Sequence, residues 1–231
     1  MREVKGIDLY SGQGDVKWSQ VAASGDVEFA IVKATEGATL VDSRVARNAR
    51  SAQETGLRLA YYHFGRPDLG DADPATDALG EAARFLHTLA DLPSPDELRF
   101  ASGRVAAVFL DLEKPIERWN AADGLRWVEV FLRAVEERYP VGLYTSREWL
   151  SREALPDAAS FAQLLERRDG SQRPIWIARY GLNDGQVPDR TRFSPDDKVP
   201  AGWGQWDIWQ YTSKGVIGGI NRPCDVNLAR M

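Results

Sequence analysis

Two carboxylates stand near the end of a stretch that otherwise has the composition of a buried β-strand. Residues 108–115 read VFLDLEKP, with Asp111 and Glu113 at alternate positions. Because side chains two apart on a strand share a face, both carboxyl groups point one way while Leu110 and Leu112 point the other. Repulsion and desolvation raise the pKa of at least one acid in such a pair. The pattern suits glycoside hydrolysis, in which one acid protonates the leaving oxygen and another carboxylate supports the positive transition state.

Two further acids occupy comparable places. Asp8 lies near the end of the first predicted strand, in KGIDLYSGQG, and Asp225 follows in a late PCDVN. A bland alternative is that Asp111 caps the next helix and Glu113 pairs with Lys114 or Arg118. The position of the pair at the end of a buried strand, together with Asp8, favours an active site instead, since the mouth of a parallel barrel lies at the carboxyl ends of its strands.

The elements that must position these acids alternate along the chain. Apolar strand candidates cover residues 4–10, 28–34, 57–64, 104–112, 141–145, 174–178, 205–211 and a last one at 216–220 or 224–228. Helical patterns cover residues 42–55, 74–92 and 121–139, a short stretch after Trp18, and part of 146–166. Five β-α units followed by three strands predict an α/β fold, a parallel sheet that closes into an irregular barrel. Residues 181–202 are interpreted as a connection.

Composition excludes several classes of function. The 231 residues carry a net charge of −5, which gives no electrostatic case for binding nucleic acid or an anionic membrane. The single cysteine, Cys224, permits no intrachain disulfide, and two histidines without ligand spacing predict neither a metal site nor a cofactor. No apolar leader or linker is present, so the expectation is one domain over residues 1–231, synthesised in the cytoplasm without a signal peptide or a separate wall-binding domain.

Six motifs in order resemble a known family. They are KGIDLYSGQGDVKW, FAIVKATEG, DSRVARNARSAQETGLRLAYYHF, VFLDLE, LYTS and WQYTSKGVIGGINRPCDVN. Together they are similar to glycoside hydrolase family 25, the Chalaropsis-type lysozymes that include many phage endolysins. The resemblance implies a TIM-like (β/α)5β3 barrel. It also implies a monomer that acts on peptidoglycan glycan strands as a β-1,4-N-acetylmuramidase, without membrane insertion. The cell wall would be reached after release through a phage holin or by unconventional export.

The resemblance also implies residue roles. Glu113 corresponds to the general acid and Asp111 to the carboxylate beside it, and Asp8 and Asp225 match the other two acidic positions. The residues expected to contact the sugar are Tyr62, Lys33, Glu36, Tyr144 and Trp209.

Structural alternatives remain open for several of these residues. Lys33 and Glu36 could form an ordinary ion pair, and Trp209 could be core. His63 is expected to be a hydrogen-bonded core histidine, and Trp176 a packing residue.

The mechanism favoured by this pattern is participation by the substrate's own N-acetyl group. A covalent intermediate needs a carboxylate about 5 Å from the acid on the opposite face, which two acids on one strand do not obviously supply. Asp111 would then orient the amide while Glu113 acts first as acid and later as base. Two rivals are a chitinase, whose earlier acidic positions would fall at Phe109 and Ala106, and a non-catalytic glycan-binding barrel.

Overall fold

The computed structural model describes residues 2–67, 73–116, 119–146, 162–193, 195 and 205–231. Its strands are β1 (Glu3–Leu9), β2 (Val27–Glu36), β3 (Leu40–Val41), β4 (Arg58–Phe64), β5 (Leu98–Arg99), β6 (Val105–Ala106), β7 (Val108–Leu112), β8 (Val141–Ser146), β9 (Ile175–Ala178), β10 (Ile208–Gly215) and β11 (Cys224–Arg230). Its helices are α1 (Trp18–Ala23), α2 (Val45–Glu54), α3 (Pro74–Ala90), α4 (Ala121–Glu136) and a single turn, α5 (Arg190–Phe193).

Eight strands form a closed barrel, in the order β1-β11-β10-β9-β8-β7-β4-β2 with β2 pairing back to β1. All neighbouring pairs are parallel except those made by β11, which runs antiparallel to both β1 and β10. The predicted irregular α/β barrel is therefore confirmed. The reversal of β11 brings the beginning of that strand to the same edge as the carboxyl ends of the others.

Apolar side chains on both faces of each strand build two cores. All five residues of β7 are buried. Phe109 packs inside the barrel with Phe29, Ile31 and Trp176. Leu110 and Leu112 of the same strand pack outward. The outer core joins the strands to the buried stripes of α3 and α4, which lie against each other. This double burial explains why the strands read as continuous apolar runs.

Local signals set the helix ends. Asp73 caps α3 by accepting hydrogen bonds from the backbone N–H groups of Ala75 and Thr76, and Asn120 caps α4 by accepting one from Asp123. Both helices end two or three residues before the predicted positions. The helix predicted within residues 146–166 falls mostly outside the described residues.

Three features of the fold differ from the sequence-based prediction. The strand expected at 104–112 is two strands: β6 pairs antiparallel with β5 outside the barrel, and β7 enters the barrel. The short β3 was not predicted, because its two exposed residues only extend the edge beside β2. The last strand, predicted at 216–220 or at 224–228, is found at the second of these positions, as β11. The connection predicted at 181–202 contains the single-turn helix α5.

Two glycines make room for aromatic rings inside the barrel. A Cβ added to Gly6 would lie 2.2 Å from Cζ of Phe29, and one added to Gly142 would lie 2.6 Å from Cε1 of Phe109. Atoms cannot approach this closely without a shift of the ring or of the strand. The absence of a side chain at these positions is thus part of the packing of the inner core.

The substitution Gly6→Ala should therefore lower the free energy of unfolding by about 1–3 kcal/mol, the usual cost of overpacking a core. Urea unfolding followed by tryptophan fluorescence measures it. Gly218→Ala is the matched control, because an added Cβ there meets nothing within 4 Å. Equal stabilities of the two variants would contradict the packing argument.

Candidate active site

A cleft of about 390 Å³ opens at the carboxyl ends of the barrel strands. The residues that line it are Asp8, Tyr10, Lys33, Glu36, Tyr62, Phe64, Arg66, Asp111, Glu113, Lys114, Tyr144, Trp176, Tyr180, Gln210 and Asp225. They come from the barrel strands and from the segments that follow β1, β4, β7 and β9. The four predicted acids and four of the five predicted sugar contacts thus share one concave site.

Asp8 and Asp225 face each other across β1 and β11, where they are direct partners in the antiparallel register. Oδ2 of Asp8 accepts hydrogen bonds from Nε2 of Gln210 at 2.9 Å and from Nδ2 of Asn227 at 2.8 Å. Burial raises the pKa of Asp8 to about 7 despite these bonds, and Glu113 adds to the rise. Burial, followed by repulsion from Asp8 and Glu113, raises the pKa of Asp225 to about 8. The pair therefore holds a proton more readily than free aspartates do, at pH values approaching neutral.

Asp111 is a buried acid with an oxygen that has no hydrogen-bond partner among the described residues. It is 7% exposed, and the oxygen without a partner is Oδ1. Desolvation raises its pKa well above the usual range, and the nearby Glu113 and Asp8 raise it further, whereas Lys33 lowers it. A buried acceptor without a partner is costly, so a hydrogen bond from a ligand to this oxygen would be favourable.

Glu113 lies beyond the end of β7, where its side chain reaches water. The walls of the cleft still remove part of its hydration and raise its pKa, while Lys114 and Lys33 lower it. The result is a carboxyl group that is accessible to a ligand and binds its proton more tightly than a free glutamate does. That combination is the one a general acid requires.

The wall formed by the ends of β2 and β4 carries a chain of ion pairs. Nζ of Lys33 lies 2.6 Å from Oε2 of Glu36, and Nε of Arg66 lies 3.3 Å from Oε1 of the same carboxylate. Nζ of Lys33 also sits 4.4 Å from the ring centroid of Phe64. The two interpretations of Lys33 and Glu36 are thus compatible, because the pair exists and also lines the cleft.

Aromatic rings form the floor. Trp176 is 1% exposed and makes edge contacts with Tyr62 and Tyr144, at centroid distances of 6.3 and 4.5 Å. Its Nε1 donates to Oδ1 of Asn227 at 2.8 Å. The packing role expected for Trp176 is confirmed, and it supports the two tyrosines that face the cleft.

Comparisons with known proteins agree with this geometry. The model of the family described as Glycosyl hydrolases family 25 matches residues 7–220. This chain belongs to that family. It is therefore a glycoside hydrolase.

Relatives and a solved structure extend the match. The chain is 27% identical to Lysozyme M1 of Streptomyces globisporus, over 97% of this chain and 67% of that protein. It is 40% identical to the Autolytic lysozyme of Clostridium acetobutylicum, over 97% of this chain and 55% of that protein. The chain thus spans about half to two thirds of these relatives. The structure of a bacterial lysozyme from Streptomyces coelicolor aligns with a TM-score of 0.69 at 26% identity, over 97% of this chain and 90% of that one.

Trp209 was expected to contact the sugar in this family-25 enzyme, but it does not line the cleft. Its ring is fully buried on the outer side of the barrel, where Nε1 donates to the carbonyl oxygen of Arg179 at 2.8 Å. Strand alternation explains the error, because the inward residue of β10 is the next one, Gln210. His63 is a core residue as expected, with Nδ1 2.7 Å from Oγ1 of Thr35 and Nε2 2.6 Å from Oε2 of Glu81.

Several cleft residues were missed by the sequence analysis. Gln210 lies next to Trp209, on the inward face of β10, and Asn227, which supports Asp8 from below the cleft surface, lies two residues after Asp225 on β11, so strand alternation could have indicated both. Tyr10, Arg66 and Tyr180 follow strands in loops, where no periodicity points to them.

In the described part of the chain, no group of three or more His, Cys, Asp or Glu side chains is arranged to hold a metal ion. None of the helices in this part of the chain is long and apolar enough to cross a membrane.

The raised pKa values predict a pH-dependent stability. The folded enzyme retains protons on Asp8 and Asp225 that the unfolded chain releases above about pH 4, so the free energy of unfolding should fall as pH rises from about 4 to about 8. Asp225→Asn removes one of these groups and relieves repulsion on the other. We expect the difference in Tm between pH 5 and pH 8, measured by calorimetry, to shrink by at least about 2 °C.

Asp91→Asn, a change at an exposed residue outside the cleft, is the control and should leave the difference as in the unsubstituted protein. An undiminished pH dependence in Asp225→Asn would show that Asp225 retains no extra proton in the folded state.

Proposed function

We propose that this glycoside hydrolase is a lysozyme that cleaves the β-1,4 bond between N-acetylmuramic acid and N-acetylglucosamine in bacterial peptidoglycan. The observation that carries the proposal is the convergence of four carboxyl groups in one cleft, with Glu113 accessible and Asp8, Asp111 and Asp225 more deeply placed. The names of the relatives, which are lysozymes, support the choice of substrate.

In this proposal Glu113 is the general acid and base. Its raised pKa keeps a proton available for the glycosidic oxygen of the leaving sugar. Once the bond has broken, the carboxylate of Glu113 accepts a proton from the attacking water. Lys114 and Lys33, which oppose the rise in its pKa, stabilise the ionised form that this second step requires.

Asp111 is proposed to hold the 2-acetamido group. Its unpartnered Oδ1 can accept the amide N–H, which turns the acetamido oxygen toward the anomeric carbon. Attack by that oxygen forms a bond to the anomeric carbon as the glycosidic bond breaks. Water then displaces it, so that the configuration is retained. Asp8, fixed by Gln210 and Asn227, and Asp225 would contact the same sugar from the opposite side of the mouth.

Digestion of purified peptidoglycan tests the reaction. After borohydride reduction, mass spectrometry of the new ends should find reduced N-acetylmuramic acid, and NMR early in the digestion should find the β-anomer first. Reduced N-acetylglucosamine would mean that the other glycosidic bond is cleaved, and an initial α-anomer would exclude participation of the acetamido group. Binding without new reducing ends would make the protein a glycan-binding barrel.

The substitution Glu113→Gln tests the assignment of the acid. It should lower kcat by about 10²- to 10⁴-fold, the usual contribution of general acid catalysis, while Tm stays the same or rises. Release of reducing ends from peptidoglycan measures the rate. Glu54→Gln, at an exposed position on α2, is the matched control. A rate for Glu113→Gln within a few-fold of the control would refute the role given to Glu113.

A further inference from the structure

One arginine in the cleft has donors that the fold does not use. Arg66 follows β4, and its backbone N–H donates to Oε2 of Glu81 on α3 at 3.1 Å. Its Nε lies 3.3 Å from Oε1 of Glu36, and its side chain remains 32% exposed where it lines the cleft. The backbone is therefore anchored while the guanidinium group reaches the site.

The terminal nitrogens of this guanidinium group donate no hydrogen bond to another described residue. Within the described residues, Nη1 and Nη2 of Arg66 donate no hydrogen bond, and the buried Nε, the atom nearest Glu36, also lacks a hydrogen bond of good geometry. A guanidinium group presents its N–H donors as a planar fork that matches the two oxygens of a carboxylate. Arg66 thus presents an unoccupied fork from an anchored position.

The charges around Arg66 favour an anion at this place. Glu36 is shared between Lys33 and Arg66, so this triad carries a net positive charge. Lys114 lines the same cleft, with its Nζ 5.6 Å from the ring centroid of Phe64. The acids of the site lie on β1, β7 and β11, and so this wall, formed at β2 and β4, is the positively charged part of the cleft.

We propose that Arg66 binds a carboxylate of the substrate and thereby selects muramic-acid-containing glycan over uncharged glycan. This inference rests on the proposed function, because it assumes that peptidoglycan occupies the cleft. Two carboxylates of that substrate have the required chemistry. One is the lactyl carboxylate of N-acetylmuramic acid, which is free only where no peptide is attached, and the other belongs to the stem peptide.

A cycle that varies enzyme and substrate together tests the proposal. The substrates are glycan strands with intact stem peptides, strands from which an amidase has removed the peptides, and both after conversion of their carboxylates to methyl esters. For the unsubstituted enzyme, esterification of the recognised carboxylate should lower kcat/KM about tenfold, as expected for loss of a charge-assisted bidentate contact. For Arg66→Gln, kcat/KM should be about tenfold lower on the charged strands and insensitive to esterification.

Two further variants sharpen the cycle. Arg66→Lys retains the charge without the fork and should fall between the unsubstituted enzyme and Arg66→Gln. Arg50→Gln, which removes an exposed arginine from α2 outside the cleft, should respond to esterification like the unsubstituted enzyme. Sensitivity confined to stem-bearing strands assigns the stem carboxylate, and sensitivity confined to stripped strands assigns the lactyl carboxylate.

Two results would contradict the proposals made here for Arg66 and for the reaction. If Arg66→Gln lowers kcat/KM by the same factor on charged and esterified strands, the residue only positions Glu36 and the inference is wrong. If the unsubstituted enzyme cleaves none of the strands, the proposed function fails. Calorimetric binding of N-acetylmuramic acid and its methyl ester to the unsubstituted enzyme and to Arg66→Gln then decides separately. Equal affinity of the unsubstituted enzyme for acid and ester would overturn the role of Arg66.

Discussion

Desolvation of carboxyl groups is the interaction on which the architecture of the cleft depends. An ionised carboxylate that is removed from water without a partner costs several kcal/mol, and the structure places more than one such group in a single site. Asp8 receives two amide donors and still has a raised pKa, and the Oδ1 atom of Asp111 receives none. The fold avoids part of this cost by retaining protons. The same burial that opposes folding at higher pH also raises the pKa of Glu113, which in the proposed mechanism keeps a proton available for the leaving sugar.

Acidic side chains can be kept this close together only if the backbone that carries them is rigid. The barrel provides it because every strand is paired on both sides, and because glycine at positions 6 and 142 lets two phenylalanine rings fill the interior. The reversed strand β11 has a specific part in this. Only an antiparallel strand can bring a residue from its beginning to the mouth, and the register with β1 sets Asp225 directly opposite Asp8.

The periodicity of the strands allows the barrel and part of the site to be predicted from the sequence. Continuous apolar runs indicate the barrel strands, and the two-residue repeat of VFLDLE is enough to place Asp111 and Glu113 on one face. The same rule, applied to β10, would have excluded Trp209 and chosen Gln210. What could not be predicted were contacts between segments remote in sequence, such as the donors that Gln210 and Asn227 direct at Asp8, and the loop position of Arg66. These depend on closure of the barrel, which a single sequence indicates only as a class of fold.

The two sides of the cleft are held by different parts of the molecule. The acids belong to β1, β7 and β11, whereas the wall at β2 and β4 is tied to the helical layer. There, Glu81 of α3 contacts both His63 and the backbone of Arg66, and His63 also contacts Thr35 of β2. Since His63 is fully buried and stacks on Phe131 of α4 at 4.8 Å, this network fixes the wall from behind without facing the site. The four acids thus line one side of the cleft, and Lys33 and Arg66 line the other. A polymer whose repeating units differ in charge can bind to such a cleft in two orientations of different energy, and catalysis requires only one of them.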